Sequence, residues 1–281
     1  MRVLEPLEIG LMFWAKENAR QTLQEVKSFG VSAGQLGIPG ELNLNGKAQQ
    51  WQSALSDENF LAVTAFCSYV GEDYTDIPTV KRTVGLVPEP TRTERVDRTK
   101  EVAGFAHEVG IKSIACHIGF VPHDRNHALY REIRDLTRDI CDHCGRLEQS
   151  FTLETGQEPA DILHQFIDDV QRSNLKINFD PANMILYGTG DPIKAFRALS
   201  KHVTSVHCKD GDWPPQDQPD ALGTEKPLGR GSVNFPSFIA TLKDVGYKGI
   251  LSLEREELDQ QQRAADIRSG ITLLKQLTGR L

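Results

Sequence analysis

Four short apolar runs decide how the chain is read: Phe151-Thr152-Leu153-Glu154, Ile177-Asn178-Phe179-Asp180, Val203-Thr204-Ser205-Val206-His207 and Ile250-Leu251-Ser252-Leu253-Glu254. Each has strand composition, and each ends in a metal-ligating group where Gly, Pro or charged loop chemistry takes over. An acid at one strand end is as readily a helix cap or a solvated loop residue. Two Glu, one Asp and one His at the ends of four successive strands point instead to a mixed oxygen and nitrogen site for a divalent ion.

The same alternation of strand and helix continues in both directions. The pattern predicts strands over 7–13, 31–36, 60–67, 111–118, 151–154, 177–180, 203–207 and 249–254. Between and after them it predicts helices over 18–29, 46–58, 94–109, 126–149, 159–172, 191–200, 236–245 and 259–278. Gly30 and Gly110 suit helix C-terminal positions, and Asp191-Pro192 suits a helix start. Two long irregular stretches, 68–92 and 210–234, interrupt the pattern and read as functional or flexible loops. Parallel strands need crossover connections, and helices supply them. Eight such units predict an α/β fold, a (β/α)8 TIM barrel with its active site at the C-terminal ends of the strands. The alternative is a doubly wound open sheet; no GxGxxG follows the first strand to support a dinucleotide-binding version. No disordered-type linker divides the chain, so one domain over residues 1–281 is expected.

The spacing agrees with the barrel. Glu154 to Asp180 and Asp180 to His207 are each about one βα unit, and His207 to Glu254 is one unit plus the second long loop. Glu154-Thr155-Gly156, Asn178-Phe179-Asp180-Pro181-Ala182-Asn183, Val206-His207-Cys208-Lys209-Asp210, Leu228-Gly229-Arg230-Gly231 and Gly246-Tyr247-Lys248-Gly249-Ile250 with Glu254 resemble the sugar phosphate isomerase/epimerase superfamily, with its xylose isomerase-like TIM barrel. The resemblance covers nearly the whole chain. It implies one divalent ion, Mn²⁺ or Co²⁺ first and Zn²⁺ or Mg²⁺ next, held by Glu154, Asp180, His207 and Glu254. It also implies a small sugar substrate, and dimers or tetramers are common among such barrels. The ketose 3-epimerases place a His three residues after the metal Asp; here that residue is Asn183, which hydrogen-bonds but is no acid or base near neutral pH. This departs from a D-tagatose or D-psicose 3-epimerase.

A divalent ion acting as Lewis acid on a carbonyl and adjacent hydroxyl stabilises an enediolate, and a proton must leave and return. Glu154 and Glu254, facing each other across the metal in the family's arrangement, are the expected acid/base pair. Epimerisation, aldose–ketose isomerisation and dehydration all follow from that intermediate. The competing readings are a lyase or dehydratase on a keto-polyol or 3-keto-glycoside, an endonuclease IV-like phosphodiesterase, and a non-catalytic binding barrel. Further candidates for the substrate pocket are His117, Lys209, Gln35, Trp14, Glu158 and Arg230; His123, His127 and His143 are read as facing solvent.

Composition bounds these choices. The net charge is −7 with no basic run, which argues against nucleic acid as the main partner. Met1 to Glu8 lacks the apolar centre of a signal peptide, and no segment reaches the roughly 18 apolar residues of a membrane helix. The five cysteines include Cys141-Asp142-His143-Cys144, but no second CxxC exists. Structural thiols in a reduced, cytoplasmic protein are the expectation.

Overall fold

The computed structural model describes residues 4–280; Met1, Arg2 and Val3 of the N-terminal reading, and the last residue of the expected domain, lie outside the description. In chain order the elements are β1 (Ile9–Trp14), α1 (Ala19–Lys27), β2 (Ala33–Ile38), α2 (Ala48–Asp57), β3 (Leu61–Cys67), α3 (Ile77–Thr83), α4 (Glu89–Val109), β4 (Ser113–Cys116), α5 (Ala128–Arg146) and β5 (Ser150–Glu154). The second half comprises α6 (Ala160–Val170), β6 (Leu175–Phe179), α7 (Pro181–Leu186), α8 (Pro192–Leu199), β7 (Val203–Cys208), β8 (Asp210–Asp212), β9 (Thr224–Lys226), α9 (Phe235–Asp244), β10 (Leu251–Leu253) and α10 (Gln260–Thr278). Eight strands close in the order β1-β10-β7-β6-β5-β4-β3-β2, every neighbouring pair parallel. Closure through β1 and β10 makes this a single-domain (β/α)8 barrel and excludes the open sheet.

Successive side chains on a strand point to opposite faces, and that alternation separates the packing core from the site. On β6, Phe179 points out to the helices and stacks edge-on against Phe196 of α8, ring centroids 5.0 Å apart. Phe238 of α9 packs on both, at 6.0 Å and 5.5 Å. Its neighbour Asn178 points inward and meets Gln35 from the opposite side of the barrel. Phe238 is fully buried, so Phe238→Ala is expected to cost about 3–5 kcal/mol, read as a lower urea midpoint with unchanged slope.

Local chemistry explains the helix ends. Asn18 and Asp259 cap α1 and α10 through their side chains, and Gly110 closes α4 at φ 94°. The expected helix over 94–109 starts earlier, at Glu89, because Pro90 sits in the first turn, where its missing N–H costs nothing. The stretch 68–92 also contains α3, capped by Asp76 with Pro78 in its first turn. The stretch 210–234 carries an antiparallel hairpin of β8 and β9. Prolines read as interruptions are thus helix starts. The short α7, directly after Asp180, was not expected at all.

All five cysteines are free and buried, as the thiol reading expects. Burial pushes Cys141 and Cys144 up to about 12, which leaves them as inert packing groups. Among the described residues no helix is long and apolar enough to cross a membrane.

Candidate metal centre

Glu154 ends β5, Asp180 follows β6, His207 is the penultimate residue of β7, and Glu254 follows β10. Asp180 is also the N-cap of α7. Its Oδ1 accepts from the N–H groups of Ala182 (2.8 Å) and Asn183 (3.1 Å). That leaves Oδ2 fully buried and without a hydrogen-bond partner. One ligand atom from each of Glu154, Asp180, His207 and Glu254 lies within 4.8 Å of all the others.

His207 is the centre of the group. Its Nδ1 lies 2.8 Å from Glu154 Oε1, 3.0 Å from Glu254 Oε2 and 3.9 Å from Asp180 Oδ2. Three buried carboxylates around one imidazole nitrogen are an unfavourable arrangement for protein groups alone. Burial pushes the Asp180 carboxyl well up, and the Glu254 and Glu154 charges add to it against the pull of Lys209. Burial opposes a charged His207, yet Glu254 and Glu154 together outweigh it and hold the imidazole well above its usual range. Burial likewise opposes an ionised Glu254, but Lys209 and His207 hold its carboxyl well below the usual range. An unpartnered buried carboxylate oxygen, two further carboxylates and one imidazole nitrogen are a donor set that fits a divalent cation.

The other face of His207 is held by a buried network. Asn178 Nδ2 lies 3.2 Å from His207 Nε2, while Asn178 Oδ1 accepts from Gln35 Nε2 (3.0 Å) and from Ser205 Oγ. A His that ligates through Nδ1 carries its proton on Nε2 and must donate it. Asn178 can supply that acceptor if its amide and that of Gln35 both turn over, which brings the otherwise unpartnered Gln35 Oε1 to receive the displaced N–H. Asn178→Leu is therefore expected to weaken divalent-metal binding by roughly 10–100-fold, measured by calorimetric titration of the metal-free protein. An unchanged affinity would refute the role.

Above the cluster opens a cavity of about 590 Å³. Glu154 and Glu254 line it; Asp180 and His207 lie beneath its floor, both fully buried. Four of the expected pocket residues line it. Trp14 stands at the rim, and Asn183 Nδ2 is 3.4 Å from Glu154 Oε1. His117 Nε2 is 3.4 Å from Glu154 Oε2, and Lys209 Nζ lies 3.5 Å from Glu254 and 3.1 Å from Glu256. Lys209 thus pairs with these acids rather than with Asp210.

Three expected pocket residues are elsewhere. Gln35 is mid-strand on β2 and sits inside the barrel, supporting Asn178. Glu158 is tied to the Val121 N–H (2.8 Å) and to His123 Nε2 (2.7 Å), while His123 itself is exposed, as expected. Arg230 is exposed and lines a separate surface hollow with Arg268 and Gln276. His127 is the N-cap of α5, and His143 is half-buried rather than solvated. Sequence reasoning missed Phe66, Tyr74, Tyr187, Glu225 and Glu256 on the cavity wall. It also missed Asn178, which alternation from Asp180 would have turned inward.

A family model described as xylose isomerase-like TIM barrel matches residues 23–277. The xylose isomerase domain protein from Planctomyces limnophilus superposes with a TM-score of 0.93 at 40% identity, covering 98% of each chain. The 3-keto-D-glucoside 4-epimerase YcjR from E. coli gives a TM-score of 0.71 at 17% identity, over 96% of this chain and 99% of that one. A xylose isomerase-like TIM barrel protein from Mycobacterium smegmatis, in complex with magnesium, gives 0.71 at 16% identity over 99% and 98%. At such identities the last two are likenesses of fold. A curated relative, the uncharacterized protein MJ1311 of Methanocaldococcus jannaschii, is 22% identical over 192 residues, 64% of this chain and 62% of that protein. With the closed barrel, the strand-end cluster and a family match across most of its length, the chain belongs to the xylose isomerase-like TIM barrel family.

Proposed function

We propose that this protein is a divalent-metal-dependent sugar or keto-sugar isomerase/epimerase. The observation that carries the reading is the division of the four converging groups: Asp180 and His207 are sealed beneath the floor, while Glu154 and Glu254 face the cavity. Groups that only hold an ion need no access to substrate; groups that move a proton do. A divalent ion, when bound, supplies Lewis-acid polarisation of a substrate carbonyl and adjacent hydroxyl. Glu154, Asp180, His207 and Glu254 would hold it, and hard oxygen donors with one imidazole suit Mn²⁺, Co²⁺ or Mg²⁺.

One of Glu154 and Glu254 takes the proton next to the carbonyl, and the other returns it. Lys209 neutralises Glu254 from the side, and Asn183 contacts Glu154 as a hydrogen-bond donor that holds no exchangeable acid. The 3-keto-D-glucoside 4-epimerase and D-allulose 3-epimerase among its structural relatives are consistent with such chemistry. The five buried free cysteines suit a reducing, cytoplasmic setting.

The test is incubation of the metal-loaded protein with keto-sugars in D₂O, followed by proton NMR. Deuterium entering the position next to the carbonyl, dependent on metal, supports the reading. No exchange across ketoses and keto-glycosides, with metal bound, refutes it.

His117 favours a second reading, elimination. Its Nε2 stands at the cavity wall 3.4 Å from Glu154 Oε2, within reach of a departing substrate hydroxyl that it could serve as proton donor. Loss of a water mass from the product would select it.

A further inference from the structure

The loops after the seventh and eighth strands of such barrels frequently form a phosphate cup from backbone N–H groups. Here the loop after the seventh barrel strand builds a cup of N–H groups that is already filled. The N–H groups of Gly211 (2.9 Å), Gly229 (2.9 Å), Gly231 (3.0 Å) and Val233 (3.1 Å) converge on the carboxylate of Asp210, which is buried. Glycine is required for this approach: a Cβ on Gly231 would lie 2.4 Å from Asp210 Oδ1. Four donors that elsewhere would take a substrate anion are engaged by the chain's own.

The cavity wall repeats the message. Five carboxylates, of Glu72, Glu154, Glu225, Glu254 and Glu256, stand against Lys209 and His117, and among the described residues no arginine lines it. Lys209 is bracketed by Glu254 and Glu256. The adjacent Arg255 is held by Glu225 (2.9 Å), Glu257 (3.1 Å) and Asp266 (2.9 Å). The wall stays negative after a divalent cation is counted, so it repels phosphate and carboxylate groups.

Size adds a third constraint. A hexulose has about twelve non-hydrogen atoms and, even at the ~30 Å³ a water occupies per atom, fills no more than ~360 Å³. The cavity is about 590 Å³. On its wall, Trp14 and Tyr74 remain 37% and 42% exposed, with Leu186 and Leu222 also lining the space. Exposed aromatic faces beside polar edges suit the apolar face of a second sugar ring or an aglycone.

We propose that the site takes an uncharged, extended keto-saccharide, a keto-glycoside or keto-disaccharide whose outer part packs on Trp14 and Tyr74, and that it rejects phosphorylated and carboxylated sugars. This rests on the sugar-enzyme reading above. The experiment compares deuterium exchange by the metal-loaded protein on a keto-disaccharide, a free ketohexose, the ketohexose phosphate and a keto-uronate, with calorimetric binding of the same four compounds. The disaccharide should exceed the free ketohexose by roughly tenfold in kcat/KM, with both anionic sugars at least tenfold below the free ketohexose. Tyr74→Ala should shrink the disaccharide preference roughly 3- to 10-fold. Equal or better use of either anionic sugar, or no preference for the disaccharide, overturns the inference while leaving the enzyme reading intact. If no compound exchanges, the enzyme reading fails, and the order of binding still decides the inference: tightest binding of the neutral disaccharide upholds it, and any other order or no binding overturns it.

Discussion

A Glu254→Gln protein is expected to keep its fold and lose its chemistry, with exchange at saturating metal reduced by roughly 10³-fold. The amide has the shape of the carboxyl, but the charge it removes is one that Lys209 and His207 hold ionised, so a modest fall in thermal stability is expected. What disappears is a proton carrier on the cavity wall and an anionic donor 3.0 Å from His207 Nδ1. Metal content and exchange rate, measured on the same preparation, separate the two losses. Retained metal with lost exchange assigns proton transfer to Glu254. Retained metal with wild-type exchange would move that role to another wall group, His117 or Lys209. Glu154→Gln should behave alike, because its carboxylate also faces the cavity; His207→Ala should instead lose the metal itself.

The second large effect is on stability. Asp210→Ala removes the acceptor of four backbone donors at once. Leaving buried N–H groups unpartnered costs about 1–3 kcal/mol each, and entering water recovers part, so a net loss of about 3 kcal/mol is expected. For a chain of this size that is a fall of roughly 6–12 °C in Tm. Asp210→Asn, which keeps one acceptor oxygen, should fall between. Because the emptied cup is a nest of N–H groups, inorganic phosphate should restore part of the lost Tm in the Ala variant and do nothing for wild type. A variant as stable as wild type, or one indifferent to phosphate, would refute the account of this loop.

Much of this was legible in the chain. Short apolar runs alternating with helix patterns marked the barrel strands, and the four ligating groups stood at strand ends because that is where a parallel barrel gathers polar chemistry. The errors have local causes. The second strand was expected over 31–36, which puts Gln35 near its end; β2 runs to Ile38, so the same residue lies a layer deeper, under the site. Arg230 was expected to reach inward with its glycine-rich loop. The N–H groups of Gly229 and Gly231 are drawn onto Asp210, and the arginine between them is left exposed. Glu158 is engaged by Val121 and His123 of the loop after β4, a contact between distant segments that no local pattern announces. Tyr74 and Glu225 arrive from the two long irregular stretches, where periodicity carries no information.

Asp180 gives the fold a replaceable part. One of its oxygens starts α7 and the other faces the ligand cluster, so the helix is docked by the same residue that completes the centre. Asn183, in the first turn of that helix, is delivered to the cavity beside Glu154. A side chain at position 183 that fits beside Gly156 inherits this placement. Ancestral or engineered exchange of that one residue can therefore trade a hydrogen-bonding amide for an acid/base group while the scaffold stays as it is. Position 180 has no such freedom: Glu there would displace the cap or the ligand, since one added methylene cannot serve both.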